Sequence, residues 1–376
     1  MRAPHRPLFS LMRLTRQKKK TGAVVGLDIE AGSVAATEVE VNGSVRVTAG
    51  AIEPLAPGAF GEGEVLDPDA VAEALKALFS SHKLSKRVRL GVGNQRVVVR
   101  TVRLPAIEDP KELDAAIRFQ AQEQVPMPLD QAVLEHQVVG GVPAEEGSQP
   151  QIDVVVVAAR REMVSSFLEP IRRAGLQPVG VDLSAFGMIR ALAGGSSADA
   201  GQDGADGTSQ ASPEAVLYCN LGDVTNLAVA RGRACLFTRV SHVGLETIAD
   251  RFAASRDFAP QVAHQWLAHV GLERPPEEIE GDPEIVAEAR RSLEEGVAGL
   301  VDELRLSLDY YGAQEGAQRV ERVVLCGPGS AIPGLAERME GGLGLSIAAA
   351  RPPALSGFDE SSAARLTLPY GLALES

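Results

Sequence analysis

The spacing of apolar and polar positions predicts a strand–turn–strand unit near the start of the chain. An apolar run at 23–27 leads into Asp28, small residues follow at 30–33, and a valine-rich stretch covers 34–41. Short apolar runs joined by a glycine-containing turn are typical of buried hairpin strands. The aspartate can hold a hydrated metal ion, and the N–H groups of the turn can face a phosphate. A plain hairpin with a solvated aspartate fits the same pattern.

The second half of the chain repeats this shape. An apolar strand at 215–220 enters a polar turn at 221–226, and strands at 227–230 and 234–239 follow. Another buried strand, at 320–326, runs into Gly-Pro-Gly-Ser and then a helix at 332–340. Glycine-rich turns between a strand and a helix commonly bind nucleotides. The repeat predicts two related lobes.

A small α/β block is predicted between these units. Asp109 is a natural N-cap and Pro110 suits the first helical position, so a helix should cover 110–124. The strands 87–93 and 97–104 are predicted to pair around Gly93. The other predicted elements are strands at 133–139, 151–158 and 176–181, helices at 67–82, 162–174, 183–192, 244–254, 260–270 and 283–311, and a closing strand with a short helix at 366–376.

Charge is unevenly distributed along the chain. The 376 residues carry a net charge of −13, which argues against a general nucleic-acid binder. Residues 1–22 nevertheless hold seven Lys and Arg and no acidic residue, interleaved with Leu8 and Phe9. This segment predicts either contact with an anionic membrane or a basic tail without fixed structure. The chain has no apolar run of transmembrane length and no signal-peptide core.

Cysteine and histidine patterns indicate no catalytic or metal cluster. Cys219, Cys235 and Cys326 are isolated in apolar runs, so we expect small core residues in a reducing cytoplasm. The six histidines are scattered. The low-complexity stretch 194–213 predicts a flexible loop.

Four segments carry a resemblance to a known family. They are GLDIEAGSVAATEVE at 26–40, LPAIEDPKELDAAIRFQAQEQVPMPLDQAVLEHQVVG at 104–140, VVVVAARREMVSSFLEPIRRAGLQPVGVDLSAFGMIRAL at 154–192 and VVLCGPGSAIPGLAERME at 323–340. The order of strand–turn units resembles the actin-like ATPase superfamily, and the α/β block sits where FtsA and PilM carry an extra subdomain. The sequence of these segments is most similar to the PilM family of type IV pilus assembly proteins, and the resemblance extends over nearly the whole chain.

The resemblance implies an α/β, two-lobed actin-like (RNase H-like) fold with a small inserted α/β subdomain, of the SHS2 type, in the first lobe. The expected division is a basic tail at 1–22, the first lobe at 23–86, the insert at 87–180, a connection at 181–193, the flexible loop at 194–213, and the second lobe with its return to the first at 214–376.

The resemblance also implies a cytoplasmic scaffold at the inner face of the cell membrane. Members of the PilM family bind the N-terminal cytoplasmic tail of the membrane protein PilN, in a groove between the first lobe and the insert. Here we expect that groove near 97–104 and the helix 110–124. Other pilus assembly proteins are further expected partners, and nucleic acid is not.

Carried over from the superfamily, the cofactor would be ATP with Mg²⁺. Asp28 falls at the metal-side carboxylate, Ser33 at the first phosphate turn, Gly222 and Thr225 at the second, and Gly327 and Gly329 at the adenosine turn. Asp182 falls in the connection between the lobes.

Several positions depart from the family pattern. Glu30 takes the place of a glycine, and at 4 Å its charge would repel a phosphate by about 1–4 kcal/mol. Asn220 replaces an aspartate, Ala35 a lysine, and Pro328 removes an N–H donor from the adenosine turn. His264 and Leu267 replace a Glu and a Lys that contact the nucleoside. We therefore predict weak or lost ATP binding and no catalytic residues.

Two other functions fit the same fold. An active actin-like ATPase or a sugar-kinase-like enzyme would need metal-holding carboxylates in both lobes, and Asn220 argues against it. An FtsA-like membrane-associated filament protein would need an amphipathic tether. That family carries its tether at the C-terminus, where this chain has no basic amphipathic segment.

Overall fold

A computed structural model describes residues 22–41, 44–142, 149–193, 214–314 and 316–374. The strands are β1 (Val24–Glu30), β2 (Ser33–Val41), β3 (Val45–Pro54), β4 (Phe60–Gly61), β5 (Glu64–Val65), β6 (Arg87–Val92), β7 (Val98–Pro105), β8 (Ala132–Val142), β9 (Gln151–Arg160), β10 (Gln177–Leu183), β11 (Ala215–Leu221), β12 (Thr225–Arg231), β13 (Ala234–Ser241), β14 (Val320–Cys326) and β15 (Ser346–Ala349). The helices are α1 (Pro68–His82), α2 (Pro110–Gln124), α3 (Arg161–Arg173), α4 (Ser184–Leu192), α5 (Leu245–Arg256), α6 (Pro260–Val270), α7 (Pro283–Gly312), α8 (Leu335–Leu343) and α9 (Glu360–Ala373).

Two predictions fall outside the described residues. They are the membrane contact of the basic segment, of which only Gly22 is described, and the flexible loop at 194–213. Within the described ranges, no helix is both long and apolar enough to cross a membrane.

The first five-stranded sheet has the order β10-β6-β1-β2-β3. β1 pairs antiparallel with β2, β2 antiparallel with β3, and β6 lies parallel to both β1 and β10. Six of the seven residues of β1 are buried, because the strand lies in the middle of the sheet. The helices α1 and α3 contribute apolar residues to the same core.

The second five-stranded sheet repeats this arrangement, with the order β13-β12-β11-β14-β15. β11 and β12 form an antiparallel hairpin, β13 extends it, and β14 and β15 add in parallel. All seven residues of β11 are buried. The prediction of two related lobes from the repeated pattern is therefore confirmed.

A three-stranded sheet, β7-β9-β8, carries α2 on one face. The predicted pairing of 87–93 with 97–104 is wrong, since β6 joins the first sheet and β7 pairs with β9. The burial patterns explain the difference. β6 is buried on both sides, as a central strand is, whereas β7 alternates between buried and exposed residues over its second half. The predicted division of the chain into domains stays a prediction.

Two helices, α2 and α9, show what local sequence can and cannot define. Asp109 caps α2 as predicted, accepting hydrogen bonds from the backbone N–H groups of Lys111 at 2.8 Å and Glu112 at 3.0 Å. The predicted closing strand at 366–376 is wrong, because α9 is one continuous helix up to Ala373. Every residue from Ala363 to Ala373 is buried, so the segment lacks the polar face that identifies most helices.

Helix α9 packs against the first sheet and against α4, and glycines allow both close approaches. A Cβ on Gly371 would overlap the carbonyl oxygen of Gly187, and a Cβ on Gly26 of β1 would overlap the carbonyl oxygen of Pro369. These glycines bring α9 into backbone contact with both β1 and α4. Helix α9 is thereby held against the end of β1.

We expect Gly371→Ala to lower the free energy of unfolding by about 1–3 kcal/mol, because overpacked cores must shift backbone to relieve a clash. Gly299→Ala in α7 is the matched control, since no heavy atom lies within 4 Å of its added Cβ. Alanine there should stabilise the protein by up to about 1 kcal/mol through helix propensity. Urea unfolding of both variants measures the difference, and equal effects would contradict the proposed helix contact.

Candidate functional site

The turns after β1 and β11 meet across a cleft between the two lobes. The backbone N–H of Ala31, in the first turn, donates a hydrogen bond to Oδ2 of Asp223, in the second. The carboxylate of Glu30 lies where a Cβ on Gly222 would be. The two turns predicted to bind phosphates therefore contact each other directly.

Arg365 of α9 fills the space beside the first turn. Its Nη1 donates to Oδ2 of Asp28 at 2.5 Å, and its Nε donates to Oγ of Ser33 at 3.0 Å. Nη2 donates to the backbone oxygens of Ser33 at 3.0 Å and Asp28 at 3.3 Å, and Nε lies 3.2 Å from Oε2 of Glu30. Arg365 is only 6% exposed and Asp28 only 5%. One guanidinium thus contacts both ends of the turn.

The cleft holds more carboxylates than arginines. Burial raises the pKa of Glu30 to about 8, an effect that Arg365 opposes and Asp223 reinforces. Burial likewise raises the pKa of Asp223 to about 7, against the hydrogen bond from Ala31. Burial raises the pKa of Asp28 as well, against the effect of Arg365. We assign the charge of Arg365 mainly to Asp28, its shortest contact, so that Glu30 is largely protonated at neutral pH. Nearby, His264 and Glu246 form their own pair, with Nε2 and Oε2 2.8 Å apart.

The other predicted cofactor residues are committed to internal contacts. The hydroxyl of Thr225 donates to the backbone oxygen of Val243 at 2.5 Å. Gly327 has a φ of +79° and accepts a 2.7 Å hydrogen bond from the hydroxyl of Ser330. A Cβ on Gly329 would contact the side chain of Leu221. The fold therefore brings the ends of β1, β11 and β14 to one region and packs them tightly.

These residues do not fit a magnesium-bound nucleotide. A phosphate turn must offer unpaired N–H groups, yet the N–H of Ala31 is bonded to Asp223 and the carboxylate of Glu30 lies between the turns. Asp28, the expected metal-side ligand, is paired with Arg365. Among the residues that the structure describes, no group of three or more His, Cys, Asp and Glu side chains is arranged to hold a metal ion.

We expect the contribution of Glu30 to the free energy of unfolding to fall as the pH rises from about 4.5 to about 8. Its carboxyl has an ordinary pKa of 4.5 but one of about 8 in the fold, so the folded state binds the proton more tightly. The contribution is complete below pH 4.5 and is lost as the pH passes 8. Urea unfolding at pH 6 and pH 9 should show a larger drop for the wild type than for Glu30→Gln, which stays neutral. Equal drops would contradict a buried protonated Glu30.

A second site lies between the first sheet, the three-stranded sheet and the second lobe. It consists of two adjoining cavities that share Val92, Val97 and Leu183. The larger cavity, about 290 Å³, is mostly polar and is also lined by Asn94, Gln95, Val99, Ala185, Asn226, Thr238, Arg239 and Val240. The smaller one, about 10 Å³, is a narrow apolar slot and is also lined by Val133, Ala159, Met163, Val164 and Val181. We call these two cavities together the groove.

One buried polar group in the groove lacks a partner. Oδ1 of Asn226 makes no hydrogen bond with any described residue, although Asn226 is only 5% exposed. Its amide packs over Gly93, where a Cβ would come within 2.6 Å of Oδ1. A buried acceptor without a donor costs about 1–3 kcal/mol, so this side of the groove favours a ligand that supplies an N–H or O–H.

The groove includes only part of the region expected from the sequence. Val97 and Val99 line it as expected, but the lining residues that the structure describes include none from α2. α2 packs through Ile117 and Ala121 against the opposite face of the three-stranded sheet. The face that α2 leaves open is the one turned toward the groove.

Sequence reasoning missed two important residues of the cleft. Arg365 stands alone in an apolar run near the C-terminus, which is a signal of a buried charge, but its partner lies 337 positions away. Asp223 was visible only as part of a polar turn. The three cysteines, by contrast, are buried as predicted.

The two five-stranded sheets have equivalent strand orders, and the turns at their strand ends meet in the cleft between the lobes. This arrangement defines a two-lobed actin-like protein with a further small α/β unit. The family model described as "Type IV pilus assembly protein PilM" matches residues 26–368, and the chain belongs to this family. A solved structure titled "PilM-PilN type IV pilus biogenesis complex" is 25% identical, with a TM-score of 0.73, and the match covers 94% of this chain and 98% of that one.

More distant structures were also found. The ethanolamine utilization protein EutJ from Carboxydothermus hydrogenoformans is 13% identical over 99% of this chain and 91% of its own, with a TM-score of 0.49. MreB5 of Spiroplasma citri bound to AMPPNP is 13% identical over 94% of this chain and 95% of its own, with a TM-score of 0.48.

Proposed function

We propose that this protein is a scaffold of the type IV pilus machinery that binds the N-terminal tail of a PilN-like membrane protein in the groove. The single observation that carries the proposal is the groove itself, a mostly polar cavity of about 290 Å³ between the sheets that adjoins a narrow apolar slot. The 25% identical relative, whose title names a complex with PilN, supports the class of partner.

The chemistry of the groove fits an extended peptide. Apolar side chains of the peptide would pack on Val97 and Val99 in the larger cavity, where burial of each large side chain contributes about 1.5–3 kcal/mol. Its N–H groups or a polar side chain would reach Oδ1 of Asn226 in the polar cavity. A short segment that alternates apolar and polar residues therefore matches both halves.

The proposed position in the cell follows from this partner. Binding the cytoplasmic tail of a membrane protein would hold the scaffold at the inner face of the membrane. We also propose that the basic residues of 1–22 add contact with anionic lipid. Flotation with anionic liposomes should weaken when these residues are deleted, and unchanged flotation would contradict the lipid contact.

Titration calorimetry with a synthetic N-terminal peptide of the candidate membrane partner tests the proposal. We expect saturable, one-to-one binding by the full chain, with a negative heat-capacity change because apolar surface is buried. A peptide of the same composition in scrambled order is the control. Equal heats for both peptides, or no heat for either, would contradict tail capture.

A further inference from the structure

We propose that Arg365 is a built-in replacement for a metal-bound nucleotide and holds the cleft closed without any ligand. Its guanidinium supplies the positive charge beside Asp28 and fixes the first turn in the shape that bonds to Asp223 across the cleft. The chain therefore has a nucleotide-independent closed cleft. This inference does not rest on tail capture, and its tests use no peptide.

The contacts of Arg365 explain why one side chain is sufficient. It bonds to the carboxylate and backbone oxygen of Asp28, at the end of β1, and to the hydroxyl and backbone oxygen of Ser33, at the start of β2. A planar guanidinium with five N–H donors can satisfy such a fork, whereas the compact ammonium of lysine cannot. The turn between the two strands is thus clamped at both ends.

The clamped turn then joins the lobes. Ala31 lies within it, and its N–H is the donor to Asp223 of the second turn. Glu30 is held 3.2 Å from Nε of Arg365 and presses against Gly222. The same arginine therefore positions both of the groups through which the first turn contacts the second.

The position of α9 holds Arg365 in this arrangement. The Gly26 and Gly371 contacts fix α9 against β1 and α4, and Arg365 lies on the buried part of this helix. A nucleotide would have to displace Arg365 from Asp28 and Ser33 and separate Glu30 from Gly222. Displacing Arg365 would leave the buried Asp28 carboxylate and the Ser33 hydroxyl without their partner.

Nucleotide addition gives the first test. The full chain is melted with Mg²⁺ alone and with Mg-ATP up to about 1 mM, where a ligand of about 10 µM Kd would shift the folding equilibrium about 100-fold. We expect the Tm to be the same in both series. A saturable rise in Tm with Mg-ATP over Mg²⁺ alone would overturn the proposal.

Hydrogen exchange gives the second test, of the closure itself. We expect Arg365→Ala to raise the exchange rates of the amides in both turns, 30–33 and 222–225, at least about tenfold. Arg365→Lys, which keeps the charge and is the safer variant for folding, should raise them to a smaller extent. The control Arg351→Ala removes an exposed ion pair with Glu360, the first residue of α9. It should change exchange in neither turn.

The second turn decides the outcome of this exchange experiment. Faster exchange at 222–225 in both Arg365 variants, with no change in Arg351→Ala, supports a clamp that acts across the cleft. Exchange confined to 30–33 would mean that Arg365 only stabilises its own lobe, and the proposal would then be wrong. Mapping the two peptides separately by mass spectrometry distinguishes these results.

Discussion

Arg365→Ala is expected to lower the free energy of unfolding by about 3–5 kcal/mol, because it leaves a buried carboxylate without its partner. Asp28 is only 5% exposed and has its shortest charge contact, 2.5 Å, with this arginine. Ser33 also loses the donor to its hydroxyl. Urea unfolding at neutral pH measures the loss.

Two controls separate this effect from a general sensitivity to mutation. Arg351→Ala removes an exposed ion pair and should cost at most about 1 kcal/mol. Combining Arg365→Met with Asp28→Asn removes both charges and should recover a large part of the stability lost in Arg365→Ala. A loss below about 1 kcal/mol in Arg365→Ala would show that the buried pair contributes little.

Val97→Asp is expected to weaken binding of the partner tail at least about 100-fold, since a peptide packed over this position would desolvate the new carboxylate. Val97 lies where the two cavities of the groove adjoin, so we expect a peptide that fills the larger one to contact this side chain. Titration calorimetry with the tail peptide measures the change. Val97→Ala keeps the slot apolar and should weaken binding much less.

Thr101→Asp provides the matched control for this experiment. Thr101 is an exposed residue of β7, the strand that begins directly after Val97, and does not belong to the lining described for the groove. The same charge at this position should leave the peptide affinity within about twofold, as surface substitutions usually have small effects. Melting curves of both variants check that they are folded. Equal loss of affinity in Val97→Asp and Thr101→Asp would contradict binding in the groove.

Local sequence was sufficient for much of the fold. The apolar runs that became β1 and β11 are buried almost throughout, and that of β14 is buried from Val323 to Cys326, so their patterns indicated strands without knowledge of their place in the sheet. Asp109 identified the start of α2 because an N-cap bonds to N–H groups only two and three residues away. Such signals involve neighbours in the chain and need no knowledge of tertiary contacts.

Other features had no local signal. β6 and β7 are separated by five residues, yet they belong to different sheets, and only the positions of β1 and β9 decide this. The sequence of α9 does not distinguish a helix from a strand, because the helix is buried on all sides and lacks a polar face. The groove likewise combines residues of the first sheet, the three-stranded sheet and β13, so no single segment indicated it.

The sequence by itself determined the two related lobes, the family and the unfavourable Glu30 in the first turn. Only the tertiary structure decided what fills the cleft, because Asp28 and Arg365 are 337 residues apart and meet through the return of α9 to β1. Patterns along the chain define burial, caps and turns, which depend on nearby residues. A charge pair between residues so far apart in the chain depends on the final packing of helices and sheets, and that packing places an arginine beside Asp28, where the family resemblance implied the metal side of a nucleotide site.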